Sequence, residues 1–107
     1  MKILVLGSGL MGPAAAYNAM SDPQVTQVVV CDVSQQQLDN CMRKLKGRQG
    51  AEKVSTVLLD LNDQARTVQL MRGFQAIIAA LPHAASIASI RAAAKAGVPI
   101  VDLSRLA

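Results

Sequence analysis

The residues with the clearest chemical meaning stand near the front of the chain. Gly7-Ser8-Gly9-Leu10-Met11-Gly12 follows the apolar run Lys2–Leu6 and leads into an alanine-rich stretch with Pro13 at its start. Three glycines at this spacing, between a strand and a helix, make a turn suited to a pyrophosphate. Gly7 permits the tight turn, Gly9 lets a phosphate approach the backbone, and Gly12 lets the helix pack close to the sheet. Proline is accommodated in a helix's first turn, where N–H groups have no internal partner. The helix is therefore expected to begin around Leu10, with free donors from Gly9 to Gly12 aimed at an anion. The alternative is a glycine turn that only makes room for packing.

Asp32 closes the second apolar run, twenty residues beyond Gly12. From that position a carboxylate accepts hydrogen bonds from the adenosine ribose of a dinucleotide. It would repel a 2′-phosphate, and Val33-Ser34-Gln35 supplies no arginine to receive one. NAD is favoured over NADP on this reading; the alternative is an aspartate that merely ends a strand. The residues between the glycines (Ser8, Leu10 and Met11) and Val33 beside the acid are counted with the cofactor site.

Other positions are open to two readings. Asp60 and Leu61 follow the third apolar run, where Asp60 either meets the adenine amine or begins a turn. Leu81 and Pro82 follow the fourth, on the edge where such sheets hold their ligands. His83 is the single histidine, with an ordinary pKa near neutrality; it either serves catalysis or faces solvent at a helix start. Asp102 and Ser104, after the fifth run, would lie towards the nicotinamide or simply form a turn. Met11 and Met20 read as packing residues.

The elements that must position these groups follow from the hydrophobic pattern. Strands are expected at Lys2–Leu6, Gln27–Cys31, Val54–Leu59, Ala76–Ala80 and Val98–Val101, nearly continuous in apolar residues, as in parallel strands buried on both faces. Between them, Leu38, Cys41, Met42 and Leu45 form a helical stripe, with Ser34 and Gln37 as a capping box and Gly47 as a stop. A third helix is expected over about Asp63–Arg72 with Asn62 as cap and Gly73 as stop. A fourth spans Ala84–Ala96, with Ile87 and Ile90 inward and Gly97 closing it. Strand and helix in strict alternation predict an α/β, Rossmann-type doubly wound parallel sheet, order 3-2-1-4-5, with helices on both faces. Pro99 fits an edge strand, where a missing N–H is tolerated.

Composition narrows the class. With 107 residues, 51% hydrophobic and 17% charged, the chain is one small folded domain, without a membrane-length apolar run or a leader pattern, and is expected to be cytoplasmic. The net charge of +4 raises nucleic acid as a partner, but Tyr17 and Phe74 are the only aromatics and stacking platforms are lacking. Arg43, Lys44, Lys46, Arg48 and Lys53 read as a solvated helix end. Cys31 and Cys41, ten apart, have no metal-ligand spacing and read as core residues.

Taken together, the opening Lys2-Ile3-Leu4-Val5-Leu6-Gly7-Ser8-Gly9-Leu10-Met11-Gly12 resembles the saccharopine dehydrogenase family, including its lysine dehydrogenase relatives. Ala80-Leu81-Pro82, Ala93-Ala94-Lys95-Ala96-Gly97-Val98 and Val101-Asp102-Leu103-Ser104 extend the likeness over essentially all 107 residues. The resemblance implies an NAD(P)-dependent oxidoreductase acting on a carbon–nitrogen bond of an amino acid or its adduct. It places Gly7, Gly9 and Gly12 at the pyrophosphate, Asp32 at the ribose, and Leu81 and Pro82 beside the cofactor. The family's substrate residues lie in a second domain, so residues 1–107 correspond to the cofactor domain and no catalytic residue carries over. The chain by itself is expected to bind cofactor without turnover, and self-association through apolar surface near the fifth strand is plausible. The runner-up is a nucleotide-sensing module of the kind attached to potassium transport systems. Those share the glycine turn, the acid and an Asp-rich turn like Asp60-Leu61-Asn62-Asp63, but not the Leu-Pro step with V-D-L-S.

Overall fold

The computed structural model describes residues 1–103. Its elements run β1 (Lys2–Leu6), α1 (Gly12–Ser21), β2 (Gln27–Asp32), α2 (Gln35–Leu45), a 3₁₀ turn (Ala51–Lys53), β3 (Val54–Leu58), α3 (Gln64–Met71), β4 (Ala76–Ala79), α4 (His83–Ala96) and β5 (Ile100–Asp102). All five strands are parallel and lie in the order β3-β2-β1-β4-β5. The chain thus has the doubly wound Rossmann-type architecture.

In β1 and β2 the near-continuous apolar run is explained by burial on both faces; the edge strands β3 and β5 are partly exposed, contrary to that expectation. In β1, Ile3 and Val5 point towards α1 and α2, where they meet Ala15, Ala16, Met20, Leu38 and Cys41. Leu4 and Leu6 point the other way, joining Ile77, Met71, Ala92 and Ala93 under α3 and α4. Period-two alternation in the strand therefore feeds two separate cores. The register sets Leu4 between Val29 of β2 and Ile77 of β4, so the strand that carries the glycine turn is the centre of the sheet. At the edge, Val101 of β5 is largely exposed. Among the described residues, no helix is long and apolar enough to cross a membrane.

Several local expectations shift. Helix α1 begins at Gly12 with Met11 as its cap, rather than around Leu10, leaving Pro13 within the first turn. Ser34 caps α2 through Gln37 N–H at 3.2 Å, but its own N–H goes to Asp32 Oδ1 rather than back to Gln37, so only half the capping box forms. The cap of α3 is Asp63, which accepts from Arg66 N–H at 3.2 Å; Asn62 instead donates its N–H to Asp60 Oδ1. Helix α4 starts at His83, one residue early, and ends at Gly97, whose φ of 73° supplies the left-handed stop. Pro99 precedes β5, and its carbonyl accepts from Ile77 N–H.

The largest correction concerns the face of α4. Ile87 and Ile90 point outward, exposed by 55% and 44%, while Ser86, Ser89, Ala92 and Ala93 face the sheet. Small side chains let the helix lie close to the sheet. The Ser89 hydroxyl is satisfied within the helix, donating to Ser86 O at 2.7 Å.

Candidate cofactor site

The carboxyl ends of β1, β2, β3 and β4 converge on one cavity of about 690 Å³. Its lining includes Gly7, Gly9, Leu10 and Met11 from the β1–α1 turn, and Asp32 and Val33 from the end of β2. Asp60 and Leu61 follow β3, and Leu81, Pro82 and His83 follow β4. Backbone hydrogen bonds fix the junctions: Gly7 N–H donates to Cys31 O at 2.7 Å, and Ala80 N–H to Leu6 O at 2.8 Å.

The three glycines do different work. Gly7 has φ of +91°, and a Cβ there would collide with Ala80 O. A Cβ at Gly12 would collide with Gly7 O, so this glycine is required by the packing of the turn against α1. Gly9 has no such excuse. A Cβ built on it meets nothing within 4 Å. Its bare backbone instead faces the cavity, the arrangement a phosphate needs to reach main-chain N–H groups beside a helix start. The residues present therefore fit a dinucleotide pyrophosphate at this turn.

Asp32 sits beside it, partly buried. Ser8, itself buried, donates both its N–H, at 3.0 Å, and its hydroxyl, at 2.8 Å, to Asp32 Oδ2. Oδ1 receives Ser34 N–H at 3.0 Å. Burial works against ionisation, but the hydrogen bonds from Ser8 and the N–H groups of Ser34 and Val33 outweigh it, holding the carboxyl below its ordinary range. The cavity thus keeps a fixed negative charge at the end of β2.

Of the remaining expected residues, Ser8 and Gly12 belong to the turn but do not line the cavity. Asp60 lines it and also accepts from Asn62 N–H at 2.9 Å, so its turn role is realised. His83 is exposed at the rim, in the first turn of α4. Asp102 stands outside the lining and accepts from Ser86 Oγ at 3.2 Å. Ser104 lies outside the described residues. Sequence reasoning missed Gln37, one turn into α2, and the small residues Ala84, Ala85 and Ala88 of α4. The alanine-rich run was the signal for the latter, since side chains so short leave room for a ligand.

The comparisons with known proteins decide the family. Residues 3–106 match the family described as Saccharopine dehydrogenase NADP binding domain. The chain belongs to that family. Among solved structures, this saccharopine dehydrogenase-type domain is similar to the apo saccharopine dehydrogenase (L-Glu forming) of Saccharomyces cerevisiae. The TM-score is 0.74 at 18% identity, covering 94% of this chain and 21% of the yeast enzyme. UDP-glucuronic acid 4-epimerase from Bacillus cereus, in a complex that contains NAD, gives a TM-score of 0.72 at 12% identity, covering 95% of this chain and 39% of that one. The dTDP-glucose 4,6-dehydratase of Bacillus anthracis, in complex with NAD, gives 0.71 at 14% identity, with 95% and 36% covered. At these identities the likeness is one of fold. The chain spans about a fifth of the yeast enzyme and under two-fifths of the other two.

Proposed function

We propose that this chain is the dinucleotide-holding domain of an oxidoreductase acting on the CH–NH bond of an amino acid or its adduct, with the substrate held by a further domain. The observation that carries the cofactor reading is Gly9, bare where packing does not require it and open to the cavity. Bound there, a nicotinamide dinucleotide supplies a hydride acceptor or donor. The chain's own residues hold and orient it: the β1–α1 turn binds the pyrophosphate, Asp32 accepts from the adenosine ribose, and Leu81 and Pro82 wall the β4 side. Asp32 favours NAD over NADP, because it is held ionised where a 2′-phosphate would project. The substrate chemistry rests on family membership. A domain that only positions cofactor lacks the substrate wall needed for hydride transfer, so the chain alone binds without turnover.

Titration with NADH and NADPH, followed by nicotinamide fluorescence, tests this; the chain has no tryptophan to interfere. Saturable NADH binding is expected, weakened by about 1.5–3 kcal/mol in Asp32→Ala, the range for a hydrogen bond to a charged group. Binding of ATP or ADP with neither dinucleotide would overturn the reading in favour of a nucleotide-sensing module.

A further inference from the structure

The ionisable groups of the cavity are split between its two sides. In the order β3-β2-β1-β4-β5 the glycine turn is central, with Asp32 and Asp60 beyond the ends of β2 and β3 on one side and His83, after β4, on the other. An adenosine at Asp32 with its pyrophosphate at the turn sends the other half of a dinucleotide towards the β4 side. There the lining is Leu81, Pro82, His83 and the alanines of β4 and α4. Among the described residues, His83 is thus the side chain on that side able to carry a proton.

The other titratable groups of the lining are committed. Ser8 and Ser34 hold Asp32, Asp60 accepts from Asn62 N–H, and burial pushes the Cys31 thiol up to about 12. His83 differs: it is exposed at the rim, where a proton can pass to solvent, while the turn that carries it is fixed. Ala85 N–H and Ser86 N–H both donate to Pro82 O, at 2.9 and 3.2 Å, and Ser86 Oγ donates to Asp102 Oδ1 at 3.2 Å, tying this turn to the end of β5. The charged groups around it are Asp32 and Asp60 on the same cavity, Asp102 beside Ser86, and Arg66 of α3, whose charge reaches Cys31 on the cavity floor. Arg91 and Lys95 of α4 itself lie more than two turns further along.

We infer that His83 is the proton acceptor of the reaction, its charge coupled to the oxidation state of the nicotinamide beside it. The inference rests on the function proposed above and deepens it. In that chemistry the protonated amine gives one proton to His83, and the amine-bearing carbon loses a hydride, one proton with two electrons, to the oxidised nicotinamide. The nitrogen lone pair closes the C=N bond, and water hydrolyses the resulting iminium to a carbonyl and a free ammonium. One proton is released in all, and His83 hands it to solvent at the rim. An oxidised nicotinamide ring carries a positive charge and a reduced ring carries none. Imidazolium is therefore disfavoured beside the oxidised ring and tolerated beside the reduced one. The histidine is held as a free base before the hydride leaves and keeps its proton better afterwards. Because His83 is exposed, salt screens this coupling.

The test needs no turnover. The chain holds one histidine, so its ring NMR signals can be followed against pH without assignment, at low salt, in saturating NAD⁺, NADH or ADP-ribose. The midpoint is expected to be lower with NAD⁺ than with NADH, and ADP-ribose, which lacks the ring, should behave as NADH does. By reciprocity, the calorimetric Kd for NAD⁺ should rise about two- to threefold as pH falls from about 8 to about 6, somewhat under the repulsion of two like charges in contact in water, while that for NADH should not. His83→Gln, at an exposed position, should abolish the pH dependence of NAD⁺ binding. The same midpoint with NAD⁺ and NADH, a lowering shared by ADP-ribose, or a pH dependence that survives in His83→Gln overturns the assignment. A chain that binds none of the three overturns the cofactor reading itself, and the role of His83 with it.

Discussion

Ser8 directs both of its donors to one oxygen of Asp32, the N–H at 3.0 Å and the hydroxyl at 2.8 Å from Oδ2. The pair ties the glycine turn after β1 to the end of β2, and Oδ1 extends the tie to the start of α2 through Ser34 N–H. A carboxylate has about four acceptor positions; the donors of Ser8 and Ser34 occupy three of them, and Val33 N–H adds to their effect. A ribose hydroxyl would compete with the Ser8 hydroxyl for Oδ2, and because Ser8 is buried the displaced hydroxyl needs a new acceptor, such as the ribose oxygen itself. Asp32 is thus a structural acceptor in the free chain, and on the proposed reading it would accept from a ligand only by exchanging one of these bonds.

That geometry makes stability depend on acid pH. The folded-state pKa of Asp32 lies below its ordinary 3.8, so between the folded and unfolded values the unfolded chain binds more protons. The contribution is fully present above the unfolded value and is lost as pH falls through the folded one. Urea unfolding of the natural chain and of Asp32→Asn should therefore show the natural chain more stable at about pH 6, with the gap closing below about pH 4. A gap that stays constant over that range would show that the hydrogen bonds do not distinguish the charged carboxylate.

The glycines separate packing from binding. Gly12→Ala places a methyl group on Gly7 O and should cost about 1–3 kcal/mol of stability, the usual range for overpacking. Gly7→Ala adds the strain of a non-glycine residue at φ +91° to its collision with Ala80 O and should be worse. Gly9→Ala meets open space and should leave stability within about 0.5 kcal/mol. It should nevertheless weaken NADH binding roughly tenfold or more, because the methyl group would stand between a phosphate and the backbone donors. Thermal melts beside fluorescence titrations read both effects. A Gly9→Ala chain that binds normally would move the pyrophosphate elsewhere.

The central strands were legible because burial is written into their apolar runs: Lys2–Leu6 is read and observed with the same limits, whereas the edge strand β5, with no fully buried residue, is observed at Ile100–Asp102 rather than Val98–Val101. The glycine turn and Asp32 were legible for a similar reason, since spacing along a strand–turn–helix unit fixes where its ends lie in space. What failed were side-chain choices that depend on distance between elements. Periodicity alone turns Ile87 and Ile90 inward because they are large and apolar, whereas the face of α4 against the sheet is built from the small residues Ser86, Ser89, Ala92 and Ala93. The Ser8–Asp32 bond was illegible for another reason. It joins residues from different βα units, and no local pattern encodes such a meeting.

The orientation of α4 can be checked by substitution. Ile87→Gln alters an exposed side chain and should change stability by no more than about 0.5 kcal/mol. Ala93→Leu inserts bulk where the residue is 1% exposed against the sheet, and should destabilise by about 1–3 kcal/mol. Denaturant midpoints of the two variants would settle the face. A large loss at Ile87 with none at Ala93 would require the helix to be rotated.

The two thiols offer an independent probe of the core beneath the cavity. Cys31 and Cys41 are free and buried, exposed by 2% and 0%. Burial pushes the Cys31 thiol up to about 12, offset in part by the positive charge of Arg66 and reinforced by Asp32. Burial also raises Cys41, against a smaller opposing effect from Lys44. The reactive form of cysteine is the thiolate, so neither residue should react appreciably with a disulfide reagent at about pH 8 while the chain is folded. Adding guanidinium should release both at once, and peptide mapping of the labelled chain would count them. Because Cys31 also lines the cavity floor, selective labelling of Cys31 in the folded chain would mean that the ends of β1 and β2 part enough to admit reagent. Bound NADH should then suppress that labelling, since a ligand that binds only the closed form draws the equilibrium towards it.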